Sequence, residues 1–175
     1  VVRLQRGSRD WPESTFKLEY AAGQAGRQNV AAAASFVRAE DLLPIVQVLA
    51  PKLLENSGFR GALAGDFRNL DIAVERTGQE LQSYSIAGDF ARLGYLLAEQ
   101  GIDINGLSGR LDANEKGGQL EIDVRDAAVG LEKLFADKLT VESLQGRATW
   151  RAESAGYRLL AENIQLVTPD GNGNA

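Results

Sequence analysis

The sequence predicts a mainly β protein: an antiparallel sheet interrupted by one helical insertion. Three observations predict it. Apolar and polar residues alternate with period two over most of the 175 residues. Gly, Asn and Asp turn signals separate the alternating runs, at Gly23-Gln24, Thr77-Gly78, 114–118 and 154–156. Only one sizeable stretch, 41–55, sets its apolar residues at helical spacing. Strands with one apolar and one wet face favour antiparallel pairing, because parallel sheets are buried on both faces.

Taken in order, Phe16, Leu18 and Tyr20 alternate with Lys17 and Glu19 in the first clear strand. The helical insertion follows: Asp41 caps its start, Pro44 falls in the first turn, Pro51 kinks or splits it, and Gly58 stops it. Leu70, Ile72 and Val74 alternate with Asp71, Ala73 and Glu75. The stretch Phe90 to Gln100 reads either as a loop or as a short amphipathic helix. The 106–123 block reads as a hairpin: Leu107, Gly109, Leu111 and Ala113 share one face of its first strand, and Leu120, Ile122 and Val124 share one face of its second. Its turn, 114–118, holds glycines able to take positive φ. A small helical turn is expected at Leu131 to Ala136. Leu144, Gly146, Ala148, Trp150 and Ala152 alternate with Gln145, Arg147, Thr149, Arg151 and Glu153. Leu159 to Val167 is a strand, and 168–171 a turn into a partner strand that the sequence does not supply.

Phe59-Arg60-Gly61, Leu107-Ser108-Gly109 and Leu144-Gln145-Gly146 each place an apolar residue two before a glycine near a strand start. Their unequal spacing excludes a solenoid period. A glycine there lets the sheet bend or another backbone come close.

Composition narrows the chemistry. The chain has no His and no Cys, which removes Ser-His and Cys-His nucleophilic systems, disulfides and thiolate metal sites. A net charge of −5 with scattered Lys and Arg argues against a nucleic-acid surface. No phosphate-binding or nucleophile-elbow motif is present. Glu121 and Asp123 are the nearest thing to a paired-carboxylate site, but alternation puts them on the solvated face opposite Leu120, Ile122 and Val124. Asp112, Asn114 and Glu115 lack calcium-loop spacing and read as a turn. Trp150 and Trp11 read as core or groove wall before sugar platforms. No catalytic residue, metal or cofactor is expected. The chain also has no Met and begins at Val1, which reads as a piece of a longer protein.

A soluble sheet must cover its apolar face with a second sheet, a helix or a ligand. Pattern alone favours a closed sandwich or barrel, a structural or protein-interaction module. The 41–55 helix is the only sizeable lid and is short for a sheet of about eight strands.

Three blocks carry a resemblance that bears on this. The first is Gly106-Leu107-Ser108-Gly109-Arg110-Leu111 followed by Glu115-Lys116-Gly117-Gly118-Gln119-Leu120. The second is 131–139 with the Leu144-Gln145-Gly146…Trp150 strand, where Glu132 stands in place of a common Pro. The third is Ile164 to Gly171. Together they resemble the YhdP-like branch of the AsmA-like envelope proteins, best over Tyr84 to Asp170; residues 1–40 match only as alternating strands. The resemblance implies one segment of a long β-groove protein over 1–175, with strands in 1–40, the insertion in 41–57 and antiparallel strands in 58–175. It implies a single strongly curved, taco-like sheet around an elongated apolar groove. It implies a non-enzymatic role in moving phospholipid between inner and outer membranes and supporting the outer-membrane barrier. The parent would be anchored in the inner membrane of a Gram-negative bacterium and reach into the periplasm, with membrane contact through other parts of the chain. The wall residues expected to meet acyl chains are Phe16, Leu18, Ile72, Val74, Leu111, Leu120, Ile122, Val124, Ala148 and Trp150.

Overall fold

The computed structural model describes residues 5–6, 9–10, 12–42, 44, 61–78, 80–131, 138–154 and 156–174. Strands β1 (Gln5–Arg6) and β2 (Arg9–Asp10) form a small ladder of their own. The other nine are β3 (Phe16–Ala22), β4 (Arg27–Arg38), β5 (Ala62–Thr77), β6 (Glu80–Leu97), β7 (Ile102–Asn114), β8 (Gly117–Leu131), β9 (Leu139–Glu153), β10 (Gly156–Thr168) and β11 (Gly171–Asn174). They pair in chain order as one antiparallel sheet, a meander whose two edges, β3 and β11, do not meet. The closed sandwich or barrel favoured by pattern alone is therefore not formed. Among the described residues, the extensive contacts between strands join neighbours in this order.

Alternation survives the length of these strands only because it is reset within them. Asn69, Arg92, Gly106, Asp126 and Asn163 have φ between 49° and 88°, one each in β5, β6, β7, β8 and β10. Register slips flank them, between Arg68/Asp71, Phe90/Leu93, Asn105/Gly109 and Glu162/Gln165. These are β-bulges: an extra residue takes the left-handed conformation and the apolar set changes parity. In β8, Leu120, Ile122 and Val124 give way to Ala127 and Val129, and all five pack around one buried seam or its neighbour. Asn, Asp and Gly tolerate that conformation; Arg92 is the exception. Its N–H donates to Ser108 Oγ (3.0 Å) and its guanidinium meets Asp66 (3.1 Å).

The resets explain one misreading. Phe90 to Gln100 is neither loop nor helix through most of its length: β6 runs on to Leu97, and a 3-10 turn follows at Ala98–Gln100. The bulge at Arg92 separates Phe90 from Leu93 by three, a helical interval produced by a strand.

Other boundaries shift. The helical insertion begins at 39, two residues before Asp41, which lies inside the helix rather than capping it. Of the expected 41–55 helix, only 41, 42 and 44 are described; 45–60 lie outside the described residues, as does 132–137 with the turn expected there. Trp11 lies outside them as well. The 106–123 hairpin turns on Glu115-Lys116 alone, neither with positive φ, and Gly117 (φ 153°) opens the return strand. The partner expected to be missing after 168–171 is present as β11, paired with Gln165 to Thr168 of β10.

Two buried seams hold the apolar face. One joins Val37, Phe67, Leu70 and Phe90 to Ala39 and Leu42 of the helix. The other joins Val124, Ala127 and Val141, with Leu107, Leu144 and Leu166 packed around it.

Candidate functional site: the apolar face and its charged reverse

Residues directly opposite each other in an antiparallel ladder point to the same side. One row of such partners runs unbroken across eight strands: Leu18, Ala32, Ile72, Ile86, Ala113, Gly118, Trp150 and Leu159. Beside it run Phe16, Ala34 and Leu70 on β3 to β5, then Gly88, Leu111, Leu120, Ala148 and Ala161 on β6 to β10. Val30, Val74 and Tyr84 line the next row, and burial raises the Tyr84 hydroxyl above its usual pKa. Ile122 stands opposite Gly109 and Gly146, and Val124 opposite Leu144. All ten expected wall residues thus share one face.

They are not equally enclosed. Val124 is 0% exposed, while Ile72, Leu111, Leu120, Ile122, Ala148 and Trp150 are half-buried. At the sheet's two sides the same face is bare: Leu18 is 71% exposed and Leu159 68%. The centre of the face is enclosed by its two seams, with Ala39 and Leu42 of the helix packed on one of them, while its margins stay open.

Glycines on this face are roofed by large neighbours. The Phe90 ring lies over Gly109, its Cζ 2.8 Å from where a Cβ would stand, and the Trp150 ring lies over Gly118 at 2.5 Å. Ile164 covers Gly146 and Tyr95 covers Gly61 in the same way. The apolar-x-Gly recurrence in the sequence therefore marks places where a side chain from the next strand lies flat. A roofed glycine turns a bumpy row into a level apolar surface.

The opposite face is polar, and its centre is ordered. Arg68, Asp89, Arg110, Glu121, Arg147 and Glu162 are successive partners across β5 to β10, alternating in sign at each step. Arg110 donates to Asp89 (2.9 Å) and Arg147 to Glu121 (2.7 Å). The Asn69 amide, then Arg110, holds the Asp89 carboxyl below its usual range against the opposing effect of burial. Lys138 does the same for Asp103. Gln145 donates to Asp123 (3.0 Å), so Glu121 and Asp123 are outer-face residues with partners, as alternation predicts. The ladder itself was not visible in the sequence, because each rung depends on the register of two strands.

Among the described residues no group of three or more His, Cys, Asp or Glu could hold a metal, and no helix is long and apolar enough to cross a membrane.

A family model described as YhdP protein matches residues 1–175. No curated protein and no solved structure matches the chain.

Proposed function

Because the chain belongs to the YhdP family, a bacterial envelope family within the AsmA-like branch, we propose that it is a non-enzymatic segment of a bridge-like lipid-transport protein. Its apolar face takes phospholipid acyl chains. The observation that carries this reading is the Leu18-to-Leu159 row, apolar across eight strands and bare at both ends. Nine strands about 4.8 Å apart give that face a width of roughly 38 Å, near a bilayer's thickness. Each buried acyl CH₂ is worth about 0.8 kcal/mol, so a 16-carbon chain gains at most roughly 12 kcal/mol before ordering costs. A level surface offers nearly the same gain at each position, which lets a chain slide without large barriers. Bulges bend strands, and their recurrence in β5, β6, β7, β8 and β10 supports a sheet folded around an elongated groove. Polar headgroups then stay in water along the open rim.

In this reading the segment works in the periplasm of a Gram-negative bacterium, within a protein anchored in the inner membrane. There it helps move phospholipid toward the outer membrane and maintain that membrane's barrier.

Native mass spectrometry of the purified chain tests the proposal, with copurifying phospholipid as the expected result. A photo-crosslinking residue at Leu120 should capture lipid, and one at Gln119, on the reverse face, should not. A clean apo mass with no binding of apolar dye, or equal capture at both positions, overturns it.

A further inference from the structure

In this meander the turns after β3, β5, β7 and β9 lie at one end of the strands, and the connections after β4, β6 and β8 lie at the other. The apolar face differs between the two ends. Toward the connection end it is closed: Val37, Phe67, Leu70, Phe90, Val124 and Val141 are all buried, and Ala39 and Leu42 of the helix pack with the first four. Toward the turn end it is more open. From the Leu18-to-Leu159 row outward to the turns, Val74 and Ala113 are the buried apolar residues among those described. Val30, Ile72, Tyr84, Ile86 and Trp150 are half-buried.

The chemistry changes at the turn end as well. Tyr20, Val30, Val74 and Tyr84 are successive partners across β3 to β6. One step nearer the turns, Arg76 stands opposite Gln28. Arg76 is two residues beyond Val74 in an unbroken register, so it keeps to the apolar side. It is half-buried, and its Nε donates to Gln28 Oε1 (2.7 Å). Among the described residues it has no carboxylate partner. The adjacent Glu75 pairs with Arg27 on the reverse face (3.1 Å). The Tyr84 hydroxyl also has no hydrogen-bond partner among the described residues. Burial, then Tyr157 and Glu115, raise its pKa, so it stays a donor. A half-buried guanidinium and a half-buried phenol without partners both call for an anionic, oxygen-rich group.

Hydrocarbon, then tyrosine, then a cation is the order in which a bilayer meets protein from its core to its phosphates. The length agrees. From Tyr84 to Phe90 the strand rises about 20 Å, and half of a bilayer's hydrocarbon is about 15 Å. An acyl chain with its ester beside Tyr84 therefore ends at the closed seam around Phe90.

We propose that Arg76 binds the phosphate of a phospholipid and that Tyr84 donates to its phosphate or ester oxygens. The headgroup then rides at the turn end of the strands, and the acyl chains point toward the connection end. This rests on the lipid-transport reading and adds to it a direction that the apolar row alone does not fix.

Titration of the delipidated 175-residue chain with dioleoylphosphatidylglycerol and with dioleoylglycerol tests it, because the two share their chains and differ in the phosphate. Wild type should bind the first at least about tenfold more tightly. Arg76→Gln should erase that preference and leave dioleoylglycerol binding unchanged, whereas Arg27→Gln, on the reverse face, should alter neither. Circular dichroism confirms that each variant is folded. A second measurement needs no variant: phosphatidylglycerol with a diazirine at its chain end should crosslink around Phe90, and one with a diazirine on its headgroup around Arg76 and Tyr84. Equal affinity for the two lipids, a preference that survives Arg76→Gln, or the reversed crosslinking pattern overturns this inference alone. Displacement of the phospholipid by equimolar inorganic phosphate would make Arg76 a free-anion site and overturn it too. Binding of neither lipid overturns the lipid-transport reading, and this inference with it.

Discussion

Replacing Val124 with Asp and, separately, Leu159 with Asp measures how the apolar face is covered. Val124 is fully enclosed by the seam it shares with Ala127 and Val141. Removing it forfeits about 2 kcal/mol of apolar burial. The new carboxyl must either stay ionised among Leu107, Leu144 and Leu166 or take up a proton at pH 7. Raising its pKa from about 3.9 to about 7 costs about 4 kcal/mol at 1.36 kcal/mol per unit. The sum, about 6 kcal/mol, is comparable to the whole stability of many domains, which is about 5–15 kcal/mol. Leu159 is 68% exposed, so its replacement removes about a third of the same burial, roughly 0.7 kcal/mol, and leaves the carboxylate in water. Urea unfolding at pH 7 followed by far-ultraviolet circular dichroism reads both. If Val124→Asp does not fold, Val124→Ala gives the graded version, with a loss of about 2 kcal/mol. An equal loss at the two positions would refute the open margin. A loss under about 1 kcal/mol for Val124→Asp would refute the closed seam.

Gly118→Ala puts a methyl 2.5 Å from Trp150 Cζ2 and 2.7 Å from Asp112 O; the ring must lift, destabilising the sheet by about 1–3 kcal/mol and shifting tryptophan emission, whereas unchanged emission would mean that the ring does not roof the glycine. Glu121→Lys should destabilise the ladder, with Arg147→Glu restoring part of the loss. Both side chains are about half exposed, so the coupling in a double-mutant cycle should be about 0.2–1 kcal/mol and shrink in high salt. The Asp89 pKa is depressed in the folded state, so its stabilisation is present above the unfolded value, about 3.9, and is lost as pH falls through the folded value. The melting temperature of wild type should therefore fall toward that of Asp89→Asn in this acid window; parallel curves for the two proteins would remove Asp89 from the ladder's electrostatics.

Face membership was fixed locally. Because side chains alternate strictly along a strand, Leu18, Ile72, Leu120 and Trp150 could be assigned to apolar faces, and Glu121 and Asp123 to wet ones, with no knowledge of their neighbours. The absence of His and Cys likewise excluded whole classes of chemistry before any fold was considered. Where the alternation slips, local reading failed: the extra residue at Arg92 imitated a helix, and the short glycine-rich β11 lacked an apolar pattern to announce it. What only the tertiary structure decided is which residues meet across strands. Register is a property of two segments and the turn between them, so no single segment contains it. It sets Phe90 over Gly109, lines six charges into a ladder from Arg68 to Glu162, and leaves Leu18 and Leu159 bare at opposite sides of an apolar face that no second sheet covers among the described residues.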